Sequence, residues 1–249
     1  MTALLLALAA GAVVGLALGG LGGGGSMLAV PALVYLLGFS PALATTAALV
    51  IVAATSLTGL VAHARAGRVR WRTGALFAAA GLPAATAAGA LSARLPGALL
   101  TGAFAVLAAF AAWRMLRPSE PQAQKRSAAG LGRSTATGAG LGAVTGLLGV
   151  GGGFLAVPAL VSVLAFTMAE AVGTSLLVIT ANSLAALLPR LGATGAIDWA
   201  VAAPFTGAAV LGAWDGKRLA DRLGGRALQR VFAVALLAVA ALMLATTLS

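Results

Sequence analysis

The chain has 249 residues, of which 61% are apolar and 8% are charged, and its mean hydropathy is +1.04. Soluble domains carry about 25% charged residues, so this composition excludes an ordinary water-soluble globule and predicts that lipid surrounds most of the chain. The absence of cysteine excludes disulfides and thiolate metal sites. The net charge is +11, but no stretch is long enough to form a soluble basic face for nucleic acid.

Residues 1–21 are predicted to form the first membrane segment. They are apolar, and no Lys or Arg precedes them, whereas a cleaved signal peptide begins with a basic region. Further apolar stretches follow at 27–38, 42–62, 73–93, 97–113, 137–149, 153–167, 170–189, 199–215 and 231–248. A crossing helix needs about 20 residues, so 27–38 and 137–149 are expected to be half-helices or re-entrant pieces beside a Gly-rich break.

The basic residues predict the topology of the chain. All but Arg94 and Arg190 of the 16 basic residues fall in three loops, 63–72, 114–133 and 217–230. The positive-inside rule places all three loops in the cytoplasm. The four tryptophans, Trp71, Trp113, Trp199 and Trp214, all lie at segment ends, as in an interfacial aromatic belt.

The chain contains an internal duplication. Residues 15–34 are similar to 142–161, and Leu28–Val34 is identical to Leu155–Val161. A weaker match pairs Thr55-Ser56-Leu57 with Asn182-Ser183-Leu184. We therefore predict a first transmembrane repeat at 1–117, a cytoplasmic linker at 118–133 and a second transmembrane repeat at 134–249.

The charges indicate that the two repeats have opposite orientations. Four Arg lie within 65–72 of the first repeat, whereas the matching region 190–198 has only Arg190; the basic cluster of the second repeat lies later, at 217–230. Because the bias changes sides, we expect an all-α membrane protein made of two inverted-topology repeats, with Gly-broken half-helices near mid-membrane. An odd number of crossings in each repeat puts both termini outside.

Each repeat has a glycine-rich break that is a candidate anion site. Glycine permits a sharp turn, and the N–H groups at a following helix start attract an anion. The predicted binding positions are Gly22, Gly24, Gly25, Ser26, Gly149, Gly151, Gly152 and Gly153. The alternative is that these glycines only allow close helix packing. A phosphate-binding P-loop is disfavoured because the lysine that follows its glycines is missing.

Polar side chains inside the segments are mostly expected to be structural, with Ser56 and Asn182 as the better candidates for a cavity lining. All five acids lie in loops or near segment ends, which disfavours a cation carrier with carboxylate ligands. We expect His63 to be an interfacial residue rather than a proton relay. No metal, cofactor or catalytic group is predicted.

The glycine-rich pattern before LAVPAL in each repeat, together with Gly173-Thr174-Ser175, resembles the sulfite exporter TauE/SafE family of membrane transporters. The resemblance covers essentially the whole chain. It implies transport of sulfite, sulfoacetate or related small organic anions across the bacterial inner membrane, usually outward. It also implies roles for the glycine breaks, Pro31, Pro158, Thr174 and Ser175. The first repeat departs from the pattern, with Thr45-Thr46-Ala47-Ala48 at the matching place.

The expected function is transport of a small anion by alternating access around a mid-membrane site. Partners are the anionic substrate and the lipid bilayer. An enzyme is not expected, since one histidine and no cysteine leave too few groups for haem, clusters or a hydrolytic triad. The alternatives are a carrier of other small organic anions, a carrier of cations or neutral solutes, and a membrane scaffold that transports nothing.

Overall fold

The computed structural model describes residues 2–92, 131–148, 155–188 and 197–248, together with seven single positions between 102 and 116. Helices account for nearly all of these ranges, and no strand occurs in them. The α-helices are α1 Thr2–Leu21, α2 Gly24–Pro31, α3 Pro41–Arg65, α4 Trp71–Ser92, α5 Leu131–Leu148, α6 Ala156–Ser162, α7 Met168–Leu187 and α8 Trp199–Leu248. Three stretches, Leu4–Leu21, Leu43–Arg65 and Met168–Leu187, are long and apolar enough to cross a membrane. The expected all-α membrane protein is therefore confirmed.

The first glycine break turns the chain back on itself. Gly22 has φ +71°, in the left-handed region that favours glycine. A Cβ on Gly25 would overlap the carbonyl oxygen of Val14, so the start of α2 packs beside α1. The helix α2 has only 8 residues and continues into a π-helical segment, Ala32–Leu36. The short element expected at 27–38 is thus present.

The short element of the second repeat is not the one that we predicted from 137–149. Residues 137–148 belong to α5, which has 18 residues because the helix already begins in the polar residues before this stretch, including Ser134 and Thr135. The short helix is α6, with 7 residues. Hydropathy marks the apolar part of a helix, and it misses polar turns at the helix end.

The predicted basic loop at 217–230 is also wrong, because this region is part of the 50-residue helix α8. Ala, Leu and Arg, which are strong helix formers, dominate 217–230, and a pair of glycines does not stop a helix. A helix of this length extends about 75 Å, more than twice the hydrocarbon thickness. No turn occurs within Trp199–Leu248, and the placement of both termini outside stays a prediction.

Small residues bring two pairs of helices into close contact. Gly11, Gly15 and Gly19 of α1 face Phe205, Ala209 and Ala213 of α8 in step, so the two helices run parallel. In the same way Gly138 and Gly142 of α5 face Phe77 and Gly81 of α4. This is small-xxx-small packing, which lets backbones approach closely. The first helix of each predicted repeat therefore packs on a late helix of the other.

The helices α3 and α7 cross at the centre of the described molecule and run antiparallel. Ser56 contacts Thr180, whereas Gly59, further along α3, lies against Leu176, earlier in α7. We call this contact between α3 and α7 the seam. It joins the two predicted repeats.

Candidate functional site

The middle of the seam contains buried hydroxyl groups. The Thr180 hydroxyl lies 2.9 Å from Ser56 Oγ and 2.7 Å from the Leu176 carbonyl, and Ser56 Oγ donates to the Ala53 carbonyl at 3.2 Å. Both hydroxyl side chains are buried. Residues 171–187 contain no Asp, Glu, Lys or Arg. The seam therefore offers hydrogen-bonding groups without charge.

Asn182 comes two residues after Thr180 on α7, so the two side chains do not share a face of the helix. Its Oδ1 atom is buried and has no hydrogen-bond partner among the described residues. An unsatisfied buried polar atom costs about 1–3 kcal/mol. Of the two predicted cavity residues, Ser56 lies on the seam, and the role of Asn182 as a cavity residue stays a prediction.

The first glycine break is bound to the seam through Ser175. The carbonyl oxygen of Gly22 accepts a hydrogen bond of 2.7 Å from Ser175 Oγ. A Cβ on Gly22 would lie 2.6 Å from Ser175 Oγ. The Gly22 amide donates to the Leu18 carbonyl at 2.8 Å. The break is therefore fixed at the level of Ser175, near the midpoint of α7.

The other members of the Gly173-Thr174-Ser175 motif hold the connection between α3 and α4. Thr174 Oγ1 accepts a hydrogen bond of 3.1 Å from the Arg70 amide. A Cβ on Gly173 would lie 2.6 Å from the Arg68 carbonyl oxygen. The motif thus contacts backbone at three successive residues, which sequence reasoning did not foresee.

The remaining predicted positions are only partly described. Gly24 and Ser26 lie in the first turn of α2, and Gly25 is in contact with α1. Gly149, Gly151, Gly152 and Gly153 lie outside the described residues. That the two glycine breaks face one another stays a prediction.

Ion pairs close one end of the seam, where the predicted repeats meet. Arg68 pairs with Asp221, which also accepts a hydrogen bond of 2.9 Å from Lys217. Arg70 donates to Glu170 through two nitrogens, at 2.5 and 3.0 Å. We call Arg68, Arg70, Glu170, Lys217 and Asp221 the clasp. Arg68 is separated from Asp221 by 153 residues in sequence, and Arg70 from Glu170 by 100. Local sequence patterns therefore do not reveal the clasp.

Electrostatics favour the ionised form of Asp221 in the clasp. Partial burial opposes ionisation, but the hydrogen bonds and positive charges of Arg68 and Lys217 outweigh it and lower the pKa of Asp221. Glu170 of the clasp also orders the start of α7, because it forms a capping box with Thr167 at the N-terminus of this helix.

His63 lies directly behind the clasp and is only 1% exposed. Its Nε2 atom is 3.1 Å from the Gly19 carbonyl oxygen, and its Nδ1 atom is buried without a hydrogen-bond partner among the described residues. We expected an interfacial side chain. The described structure buries the ring against the backbone of α1 at Gly19, and its depth in the membrane stays a prediction.

An all-α chain with membrane-spanning helices and a polar, uncharged seam has the features of a polytopic membrane transporter. Comparison with known proteins agrees. A model of the family described as "Sulfite exporter TauE/SafE" matches residues 7–243. Two relatives, from Xylella fastidiosa strains 9a5c and Temecula1, are both described as "Probable membrane transporter protein".

The chain therefore belongs to the sulfite exporter TauE/SafE family, and the resemblance that we identified in its glycine motifs is confirmed. Each relative is 34% identical over 244 residues, which cover 95% of this chain and 93% of the relative. No solved structure matches. The family is one of membrane transporters rather than a class of enzymes, and the chain is an integral membrane protein.

Proposed function

We propose that this protein transports small anions, of the sulfite and organosulfonate class, by alternating access through the seam. The observation that carries the proposal is the pair of buried, uncharged hydroxyl groups in the middle of α3 and α7, Ser56 and Thr180. A hydroxyl that turns away from its present acceptor can donate to a bound anion, and no carboxylate competes for the site.

The distribution of acids favours an anion over a cation. The described acids, Glu170, Asp198, Asp215 and Asp221, all lie at helix ends or in the basic part of α8. Cation and proton carriers place ionisable groups within the membrane to bind their ion. The choice of sulfur anions rests on the family, whose description names sulfite.

We further propose that the two repeats are related by an inverted pseudo-two-fold axis. The matching segments Thr55-Ser56-Leu57 and Asn182-Ser183-Leu184 lie on antiparallel helices, as such an axis requires. The packing of Gly11 on Phe205 also has a counterpart in the packing of Gly138 on Phe77. This arrangement supports alternating access, because exchanging the conformations of the two repeats exchanges the open face.

The positive-inside rule supports an orientation in the bacterial inner membrane with the clasp in the cytoplasm. The clasp region contains Arg65, Arg68, Arg70, Lys217 and Arg218, and α1 places the N-terminus at the opposite end. Export of an anion is then favoured by an inside-negative potential, by about 2.3 kcal/mol per charge for each 100 mV.

The test is flux into proteoliposomes. We expect saturable uptake of labelled sulfite or an organosulfonate, and a fall of at least about tenfold in the double variant Ser56→Ala with Thr180→Val, since hydrogen bonds to a charged group contribute about 1.5–3 kcal/mol each. The matched control is Thr58→Val, because among the described residues the Thr58 hydroxyl bonds to Ala54 of its own helix alone. Its flux should remain within about twofold of the parent.

The alternatives give different results in the same vesicles. Saturable flux of rubidium or a neutral sugar without anion flux would indicate a cation or neutral-solute carrier. No flux of any solute by protein that elutes as a single folded species would indicate a scaffold. Equal anion flux in the double variant and in Thr58→Val would exclude the seam as the substrate path.

A further inference from the structure

The clasp holds one short connection of the first predicted repeat to two helices of the second. Residues 66–70 join α3 to α4. Arg68 and Arg70 of this connection pair with Asp221 on α8 and Glu170 on α7, and the Arg70 amide bonds to Thr174. These contacts bring the repeats together at one end of the seam. Access to the seam from that end therefore requires the clasp to open.

His63 is linked to the clasp through the backbone. Its carbonyl oxygen accepts hydrogen bonds from the amides of Ala66 and Arg68, at 3.2 and 3.1 Å. Its Cβ would lie 3.3 Å from a Cβ placed on Gly173, which in turn contacts the Arg68 carbonyl. A movement of the connection 66–70 therefore changes the surroundings of the imidazole ring.

The hydrogen bonds of the ring define its charge state in the closed clasp. A carbonyl oxygen only accepts, so the contact of Nε2 with Gly19 requires a proton on Nε2. The buried Nδ1 atom has no acceptor near it among the described residues, which leaves its lone pair free and the ring neutral. A second proton would create a buried N–H group without a partner, at a cost of about 1–3 kcal/mol or more.

The charges around the ring act in the same direction. Helix α1 contributes no charged residue, and Glu170 on α7 is engaged by Arg70. Arg68 from the connection and Lys217 from α8 are both positive, and the acid beside them, Asp221, is paired with both. A positive ring and a closed clasp therefore oppose each other, and opening that admits water relieves the conflict.

We propose that His63 is a proton-binding site coupled to the clasp, so that proton uptake at Nδ1 opens the clasp and closure expels the proton. This inference rests on the proposed function in one respect, namely that the coupled proton would be the coupling ion of transport. By linkage, the state with the hydrated ring binds the proton more tightly. The ratio of open to closed clasp then rises by up to about tenfold for each pH unit of acidification.

The chain itself provides the probes for a test. It contains one histidine and no cysteine, so isotope-labelled histidine gives a single imidazole signal and introduced cysteines are the only labelling sites. Spin labels at Ala66→Cys and Leu219→Cys report the distance across the clasp. Both residues are exposed, and neither belongs to the clasp.

At pH 8 we expect an imidazole protonated only at Nε2 and a single short distance between the labels. As the pH falls to 5, the ring should gain its second proton and a longer distance should appear with the same midpoint. His63→Gln keeps an N–H donor for Gly19 but does not titrate, so it should retain the short distance throughout. Asp221→Asn, which removes the acid that pairs the connection with α8, should show the longer distance even at pH 8.

A ring that stays neutral down to pH 5 would overturn the proposal, as would a ring that titrates without a change in distance. The proposal also fails if His63→Gln opens with the same midpoint as the parent. If His63→Gln does not fold, the parent alone decides the question: the pH midpoint of ring protonation and the pH midpoint of the distance change must agree. These measurements use no substrate, so a protein that passes them but carries no anion would refute the proposed function while leaving the proton site in place.

Discussion

At the scale of single residues, the described structure assigns different roles to glycines that look alike in the sequence. Gly22 forms the break and is bound to Ser175 and Val172 of α7, whereas Gly25 lies against α1. The sequence predicted a break at this place because glycines interrupt an apolar stretch. It could not predict the docking, since Gly22 and Ser175 are separated by 153 residues.

Comparing substitutions at Gly22 and Gly38 distinguishes the cost of backbone strain from the effect of the contact between Gly22 and α7. Gly22→Ala adds a Cβ at φ +71° that would lie 2.6 Å from Ser175 Oγ, whereas Gly38→Ala adds one at φ +72° in open space. Strain alone costs about 1–2 kcal/mol, so Gly22→Ala should lower the thermal midpoint in detergent clearly more than Gly38→Ala. Equal effects would mean that the contact of Gly22 with α7 does not stabilise the fold.

The pH dependence of stability tests the charge on Asp221. Because its pKa is lowered in the folded state, its contribution to the free energy of unfolding is present above the ordinary value of about 3.8 and is lost as the pH falls through the lower folded value. Because acid opens the clasp through His63, the parent for this series is His63→Gln, whose clasp stays closed. Its thermal midpoints from pH 5 to pH 2 should fall more steeply than those of His63→Gln combined with Asp221→Asn. The difference should be about 1 kcal/mol or less, since this pair is partly exposed.

Asp215→Asn is the matched control for that series. Asp215 forms an ion pair with Arg218 on the same helix, and both side chains are more than 60% exposed. We expect this variant to follow the parent at every pH. If Asp215→Asn and Asp221→Asn behave alike, the clasp contributes no more than a surface ion pair.

At the scale of elements, composition and length predicted the spanning helices and the short helix α2, because a crossing helix has a minimum length. They failed for α5 and for the region 217–230 of α8. In α5 the helix begins in polar residues before the apolar stretch, and in α8 it continues through charged residues after one. Hydropathy excludes both of these helical regions. The sequence also did not predict which helices pack together, because residues such as Gly11 and Phe205 are far apart in the chain and come into contact only when it folds.

The packing of α1 on α8 makes a direct prediction for stability. A Cβ on Gly15 would overlap the Ala209 carbonyl oxygen, so Gly15→Ala must push the helices apart. Overpacking of this kind costs about 1–3 kcal/mol. Gly207→Ala, on the partner helix, meets no described atom within 4 Å and should instead gain up to about 1 kcal/mol from helix propensity.

Unfolding in increasing concentrations of SDS distinguishes these two variants. We expect Gly15→Ala to unfold at a lower detergent fraction than the parent and Gly207→Ala at an equal or higher one. A Gly15→Ala protein as stable as Gly207→Ala would show that α1 and α8 do not approach each other this closely in the membrane.

At the scale of the whole molecule, the first helix of each predicted repeat packs against a helix of the other repeat. The two repeats also meet at the seam and at the clasp. The duplication was visible in the sequence because Leu28–Val34 and Leu155–Val161 are identical. The clasp was not visible, because an ion pair such as Arg70 with Glu170 depends on how the complete chain folds. The sequence therefore indicated the family and the halves, and the structure added the contacts between them.

The central claim is that the seam is the path of the anion, and the most direct measurement is substrate protection of a thiol at Ser56. Ser56→Cys is nearly isosteric, and it would be the only cysteine of the chain. In vesicles where this variant still transports sulfoacetate, an impermeant thiol reagent should label it from either face of the membrane, and saturating sulfoacetate should slow the labelling at least about tenfold. Labelling that sulfoacetate leaves unchanged, or no labelling from either face, would contradict the account.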